Sequence, residues 1–194
     1  MTLARPFAVA VAAVALSGCG IQAIPQAENA VDAAWGEVQN QYQRRADLVP
    51  NLVETVKGYA AHEKDTLEAV MKARASATQV KLTADQLTPE NLQKFEQAQG
   101  ALQSALGRLL AVAEAYPNLK ANENFRDLQV QLEGTENRIA TARRRYIQSV
   151  QEFNNVITVP PTSFTNMLFY HKKAKAQFAA TTPGAEQAPK VKFQ

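Results

Sequence analysis

The sequence has little of the chemistry that catalytic sites use. Its 194 residues include one cysteine, Cys19, and two histidines, His62 and His171, and its eight glycines are scattered singly. Di-iron helical bundles need two inward Glu-x-x-His units, whereas here His62 is followed by Glu-Lys-Asp-Thr. The chain carries neither a Gly-x-Ser-x-Gly motif nor a glycine-rich phosphate loop. We therefore expect no nucleophilic catalysis, no bound metal and no cofactor.

One carboxylate leaves an enzymatic alternative open. Glu63 falls on a seam position of the second predicted helix, where burial would perturb its ionisation. Such a residue is more often half exposed at the edge of the seam, and that is the interpretation we favour.

Aromatic residues and net charge are also scarce. Aromatics make up only 7% of the chain, while alanine and other good helix formers recur in every segment. The formal net charge of +3 includes Arg5, which lies in a segment that we expect to be removed, and it gives no reason to expect a nucleic-acid partner. A chain of this length with 46% hydrophobic residues is predicted to form one all-α globular domain.

The first 18 residues have the features of a secretory signal peptide. Arg5 precedes an apolar run from Phe7 to Leu16, which is too short to span a bilayer. The string Leu-Ser-Gly-Cys that ends at Cys19 resembles the bacterial lipobox, and this resemblance implies a mature chain that begins with an acylated Cys19. The alternative is an ordinary signal peptide followed by a free, buried cysteine.

The lipobox resemblance implies two or three acyl chains on Cys19. Stable anchoring takes more than one acyl chain, so this modification would hold the domain at a membrane. Gly20 stands where the enterobacterial pattern has the aspartate that retains lipoproteins at the inner membrane. We therefore expect an outer-membrane anchor, with the domain in the periplasm.

The rest of the chain is predicted to be a tether (19–27), a helical bundle (28–178) and a disordered tail (179–194). Helix one contains Val31 to Tyr42, and helix two is expected to start after a corner at which Asp47 caps and Pro50 opens it. Helix two would then run from Leu48 to about Val80. These boundaries predict a first helix-to-helix corner at residues 44–50.

Two long helices complete the predicted bundle, and each has a heptad seam. Helix three, capped by Thr88, repeats Phe95, Leu102, Leu109 and Tyr116, and helix four, capped by Asn122 or Asn124, repeats Phe125, Leu132, Ile139, Tyr146 and Phe153. Spacing of this kind is typical of an elongated, antiparallel, up-and-down bundle of four long helices. A short C-terminal helix is expected within residues 163–178.

Long strings of the sequence resemble one family. Residues 33–63, beginning AAWGEVQNQYQRRADLVPNL, and residues 113–150, beginning AEAYPNLKANENF, are similar to signature segments of the LemA family of bacterial membrane-associated helical-bundle proteins. The resemblance implies a long antiparallel bundle outside the cytoplasm, usually tethered by a transmembrane helix that a lipobox replaces here. The family has no established biochemical activity, and its members are associated with envelope stress, membrane-bound proteases and magnetosome membrane formation.

Both signatures fall at predicted corners, and an up-and-down order brings those corners to one end of the rod. Several of their side chains exceed what a turn requires, and we expect these to bind an unidentified envelope protein: Arg44, Arg45, Asn51, Tyr116, Asn118, Lys120 and Asn122. The leading hypothesis is thus a lipid-anchored interaction module or scaffold. The alternatives are a membrane-remodelling protein that uses a basic C-terminal helix with Lys172, Lys173 and Lys175, and an enzymatic or metal-binding bundle.

Overall fold

The computed structural model describes the backbone of residues 4–178 and the side chains of residues 21–178. It is an all-α bundle, as the seams predict, and the described residues contain no strand. Short helical segments connect four long helices. The helices are α1 (Ala4–Lys57), α2 (Lys64–Gln79), α3 (Pro89–Ala113), α4 (Pro117–Lys120), α5 (Glu123–Thr158) and α6 (Thr162–Thr165), with a 3-10 turn at Ala84–Gln86 and a π-helical turn at Asn166–Tyr170.

The predicted corner at residues 44–50 is wrong, because α1 continues through it to Lys57. Asp47 lies inside the helix and accepts a hydrogen bond from the Gln43 side chain instead of capping a new helix. Pro50 cannot donate to the carbonyl oxygen of Ala46, and the Nε of Arg74 supplies that bond at 2.7 Å from α2. The sequence predicts that Pro50 breaks the helix. Because a donor from α2 replaces the missing hydrogen bond, α1 continues through this proline.

The segment predicted as a tether also belongs to α1. Ile24 is fully buried, and the Tyr170 hydroxyl donates to the Ile21 carbonyl oxygen, which Pro25 leaves free one turn later. The packed bundle therefore begins before residue 28. Cys19, the proposed signal peptide and the tail at 179–194 lie outside the residues described in full.

The predicted seams of the two later long helices are confirmed except at Tyr116, because α3 ends at Ala113 and leaves this residue half-buried in the following turn. Leu102, Leu109, Leu132 and Ile139 are all buried. The Thr88 hydroxyl caps α3 by accepting from the Asn91 backbone N–H at 3.2 Å. These local signals succeed because a cap and its helix are neighbours in sequence.

The C-terminal region is less helical than predicted. The helix ends at Tyr170, and residues 171–178 form an extended segment, here called the strap, along the bundle. The Tyr146 hydroxyl donates to the Ala176 carbonyl oxygen at 2.9 Å, and the Asn154 side chain bonds both the N–H and the carbonyl oxygen of Lys175. Phe178 is buried in the core. Side chains of α5 thus replace the backbone hydrogen bonds of a helix.

The bundle is a rod with two different ends. Between Ile21 and Lys57, α1 spans about 55 Å at the helical rise of 1.5 Å per residue. The turns at 58–63 and 114–122 form one end, here called the turn end. At the other end, here called the N-terminal end, the part of α1 that begins at Ile21 contacts residues 159–172.

Candidate functional site

Side-chain hydrogen bonds join the two turns at the turn end. The Asn122 amide donates to the Tyr59 hydroxyl at 3.0 Å, and the Tyr116 hydroxyl donates to a carboxylate oxygen of Glu63 at 3.1 Å. Leu119 is fully buried beneath them. The pairing fixes the relative position of the two turns, so their exposed groups form one rigid surface.

Short-range rules explain how the second turn is built. Pro117 opens the one-turn helix α4, where a missing N–H costs no hydrogen bond. Asn122 then caps α5 by accepting from the backbone N–H of Phe125 at 2.9 Å. Since its amide also reaches Tyr59, the fold already accounts for both polar ends of Asn122.

The surface of the turn end carries charges of both signs. Lys120 forms an ion pair with Glu114, while His62, Lys64 and Asn118 are exposed. The hydrogen bond to Glu63 raises the pKa of Tyr116 above its ordinary value, with burial adding to the effect. At neutral pH this phenol therefore stays protonated and acts as a donor, which suits a structural clasp and gives no nucleophile.

A shallow groove runs beside the turn end, between the last turns of α1 and the first turns of α2. Its volume is about 410 Å³, and its lining combines apolar side chains with a charged rim: Val53, Glu54, Lys57, Ala61, Lys64, Leu67, Glu68 and Met71. Exposed Met71 and the nearby Tyr59 extend the apolar area toward solvent. Tyrosine and methionine are enriched in protein interfaces, whereas the groove brings together no set of catalytic groups.

Between the two ends of the rod, nearer to the turn end, a buried polar layer separates two apolar clusters. Arg45 is only 1% exposed, and its guanidinium donates to Glu136 Oε1 at 3.0 Å and to Gln99 Oε1 at 2.7 Å. Gln99 in turn donates to the Ala77 carbonyl oxygen at 3.1 Å. Within the described chain the Arg45 Nε has no hydrogen-bond partner. Four helices are thereby tied at one level.

A polar groove opens beside this layer, between α3 and α5. Three arginines line it, and two of them are already paired with acids: Arg45 with Glu136, and Arg143 with Glu96 at 2.7 Å. The third, Arg144, is exposed. Among residues 21–178, no three His, Cys, Asp or Glu side chains lie together in a way that could hold a metal ion. The groove is therefore bridged by internal ion pairs, which leave Arg45 and Arg143 committed to the fold.

Most of the helical bundle is covered by one family comparison. The sequence model of the LemA family matches residues 34–193. The chain belongs to the LemA family. The match includes both turns of the turn end, the polar layer and the strap, so these features lie in the part of the chain that defines its membership.

Parts of the chain are similar to magnetosome proteins. Magnetosome protein MamQ of Magnetospirillum gryphiswaldense is 30% identical over 93 residues, which are 44% of this chain and 34% of MamQ. Magnetosome proteins MamQ 1 and MamQ 2 of Paramagnetospirillum magneticum are each 33% identical over 78 residues, 40% of this chain and 29% of theirs. The matches thus span about a third of the length of these relatives. No helix in the described part of this LemA chain is both long and apolar enough to cross a membrane.

The structure brings together only part of the predicted partner-binding set. The turn end of this LemA chain holds Tyr116, Asn118, Lys120 and Asn122. It does not hold the residues predicted from the first signature: Arg44, Arg45 and Asn51. Their place at the turn end was inferred from a corner at residues 44–50, and α1 has its corner at residues 58–63.

The three misplaced residues have different surroundings. Burial removes Arg45 from any partner surface, since its guanidinium serves the polar layer. Arg44 is exposed on the middle of α1. Asn51 is exposed nearer the turn end and lines a shallow groove with Asp127 and Gln131 of α5. Only Arg44 and Asn51 are thus accessible, and they lie on the side of the rod.

The sequence analysis missed Tyr59 and Glu63 as members of the turn end, and Met71 as part of the groove beside it. Tyr59 and Glu63 were assigned to the interior of a continuous helix two, where their positions suggested seam packing. The signal that marks the true turn is Gly58, which follows the last helical residue, Lys57. Met71 gave no signal, because one apolar residue on a helix surface is ordinary.

Proposed function

We propose that this LemA-family protein is a membrane-anchored, non-catalytic interaction module of the bacterial cell envelope. Cys19 carries the lipid anchor, the bundle extends into the periplasm from the outer membrane, and an envelope protein docks at the turn end. The observation that carries this proposal is that the two ends of the rod differ. The clasped surface of the turn end, with exposed Tyr59 and the adjoining groove that contains Met71, lies about 55 Å from the N-terminal end.

A binding role suits the chemistry of the turn end better than catalysis does. Its hydroxyl, carboxylate and amide groups bond to one another across the turns, and its lysine is paired. Groups held this way keep a fixed shape, and the raised pKa of Tyr116 keeps its phenol protonated at neutral pH, whereas general acid–base catalysis works best with a pKa near the operating pH. The MamQ relatives are magnetosome proteins, and their names support a role at a cell structure. The matches to them cover less than half of this chain and about a third of theirs.

The interaction role is tested by photo-crosslinking in intact cells. A photoreactive amino acid at Asn118 should capture a discrete envelope protein, because this side chain is exposed at the turn end and outside its hydrogen bonds. The matched control is the same amino acid at Arg44, which is exposed on the middle of α1. Capture of the same species with equal yield from both positions would refute a site at the turn end.

The anchor is tested separately with a fatty-acid analogue. The wild-type protein should incorporate the analogue, and Cys19→Ala should abolish the labelling, because the chain has no other thiol to acylate. Labelling that persists in Cys19→Ala would rule out the lipobox interpretation. The same experiment leaves the turn-end hypothesis standing, since that concerns the opposite end of the rod.

A further inference from the structure

A cluster of large apolar side chains is exposed at the N-terminal end of the rod. Phe164 is 59% exposed, Met167 62%, Leu168 64% and Phe169 70%, all within α6 and the π-helical turn. We call these four residues the apolar cap. Single exposed apolar residues are normal on a protein surface, whereas a contiguous patch marks a site that another surface covers.

The exposure of the cap is imposed by the fold around it. The Asn166 side chain bonds both the N–H and the carbonyl oxygen of Lys172, which closes the turn below the cap. On the other side, Tyr170 packs against the core and its hydroxyl bonds to Ile21. Held on both sides, the segment leaves its largest apolar side chains in solvent.

The charges around the cap suit the surface of an anionic membrane. From Phe153 to Phe178 the sequence contains no acidic residue. Glu28, the first carboxylate after Ile21, is paired with Lys172 at 2.8 Å and with Lys175 at 3.4 Å. Lys173 is exposed. The surface around the cap is thus compatible with negatively charged headgroups.

The anchor would leave the cap little distance from lipid. Ile21 follows Cys19 by two residues, which is about 3 Å along a helix or about 7 Å of extended chain. Ile24, five residues after Cys19, is already buried in the bundle. With so short a connection between them, acyl chains on Cys19 would draw the N-terminal end of the rod onto the bilayer surface. This step rests on the proposed function.

We propose that the apolar cap inserts into the interfacial layer of the anchoring membrane, next to the acyl chains. The occupant of this surface is therefore lipid. Amphipathic protein segments that bind in this way bury their apolar side chains by about 5 to 10 Å below the headgroups. The cap would act as a second contact that holds the rod at a fixed orientation, with the turn end pointing away from the membrane.

The cap differs from the basic helix suggested by the sequence. The lysines expected on such a helix lie at the start of the strap or within it, and the carboxylates of α1 already hold Lys172 and Lys175. The binding contribution would therefore come mainly from apolar area, with Lys173 as the exposed cation. Membrane contact at this end should accordingly depend only weakly on salt.

Lipid quenching of a fluorescent label tests the insertion in the full acylated protein. Acylation consumes Cys19, so Leu168→Cys provides a single thiol for an environment-sensitive dye. The protein is reconstituted into vesicles of phosphatidylethanolamine and phosphatidylglycerol that contain a nitroxide lipid. The matched control is Val130→Cys, because Val130 is 67% exposed on α5 near the turn end and Leu168 is 64% exposed. A second label at Met167→Cys makes the result independent of one position.

The labels at Leu168 and Met167 should shift to the blue and lose most of their emission to the nitroxide lipid, whereas the label at Val130 should keep its emission. Unquenched cap labels on a vesicle-bound protein that mass spectrometry shows to be acylated would overturn insertion and leave the anchor intact. Disulfide-linked dimers formed through Leu168→Cys, without lipid quenching, would also overturn it, because a second copy would then cover the cap. A protein without acyl chains would refute the anchor and, with it, the argument that brings the cap to lipid.

Discussion

The Nε of Arg74 donates a 2.7 Å hydrogen bond to the carbonyl oxygen of Ala46, the acceptor that Pro50 leaves unused inside α1. Tyr170 and Ile21 repeat the relationship at the other proline of the described α1, since Pro25 leaves the Ile21 carbonyl oxygen to the Tyr170 hydroxyl. In both places a distant side chain replaces a missing backbone N–H. The long α1 is therefore a product of tertiary contacts as well as of its own propensity.

The first prediction concerns Arg74 and Pro50. Arg74→Met should destabilise the bundle by about 1 to 3 kcal/mol, because the Ala46 carbonyl oxygen then lacks a partner in a mostly buried site. In a Pro50→Ala background, the introduced alanine supplies a backbone N–H to the same oxygen, and the cost of Arg74→Met should fall. Urea denaturation of the four proteins of this double-mutant cycle measures the coupling. Equal costs in both backgrounds would show that Arg74 acts through packing alone.

The sequence predicts the heptad seams correctly and the end of α1 wrongly, and the hydrogen bond from Arg74 to Ala46 shows why. The seams through Leu102 and Ile139 were readable because a heptad repeat is a local pattern. The end of α1 was misplaced because Asp47 and Pro50 carry the local signature of a helix start. The donor that overrides this signature lies 28 positions away from Ala46, and no local pattern encodes it.

The candidate site was predictable to a similar extent. Tyr116 and Lys120 lie in a turn whose own residues, Pro117 and Asn122, specify it, and the prediction placed them at one end of the rod. Arg45 was misassigned because a charged residue beside a presumed corner suggests exposure. Its burial depends on Gln99 and Glu136, which meet it only in the folded bundle.

The second prediction separates Arg45 from its neighbour Arg44. Arg45→Ala should destabilise the protein by about 1 to 3 kcal/mol, because it leaves the buried Gln99 oxygen without its donor and the part-exposed Glu136 without its cation. Arg44→Ala, the matched control on the exposed face, should change the free energy of unfolding by less than about 0.5 kcal/mol. Urea midpoints of the two single mutants decide the question. Similar midpoints would mean that the polar layer contributes little to stability.

The third prediction concerns the strap and uses two phenylalanines. The Phe178 ring lies 5.3 Å from the Tyr146 ring and 6.1 Å from the Trp35 ring, between centroids, and the Arg143 guanidinium carbon lies 4.2 Å from its centroid. Phe178→Ala should therefore cost about 3 to 5 kcal/mol and change the emission of Trp35, the only tryptophan. Phe169→Ala, in the exposed cap, should leave both nearly unchanged. Equal effects of the two substitutions would contradict a structural role for the strap.

The last prediction concerns the pH dependence of the strap. Burial alone would raise the pKa of Glu28, but the hydrogen bond and charge of Lys172, together with the charge of Lys175, outweigh it and hold this pKa below its ordinary value. A carboxylate with a lowered folded-state pKa stabilises the fold above its unfolded value, which is about 4.3 for glutamate, and loses that contribution as the pH falls through the folded value. The strap should therefore open more readily below about pH 4. Hydrogen exchange at the Lys175 amide, which donates to Asn154, measures this opening.

Two substitutions distinguish Glu28 from its neighbour Asp32 in this behaviour. Glu28→Gln should loosen the strap at neutral pH and flatten its response to acid, because the lysines lose their paired charge. Burial raises the pKa of Asp32, and Lys175 only partly offsets this, so its ionisation costs stability at neutral pH. Asp32→Asn should thus leave the strap as protected as in the wild type, or more so. If instead Asp32→Asn opens the strap and Glu28→Gln does not, the ion pair with Asp32 controls the strap and the pH response assigned to Glu28 is refuted.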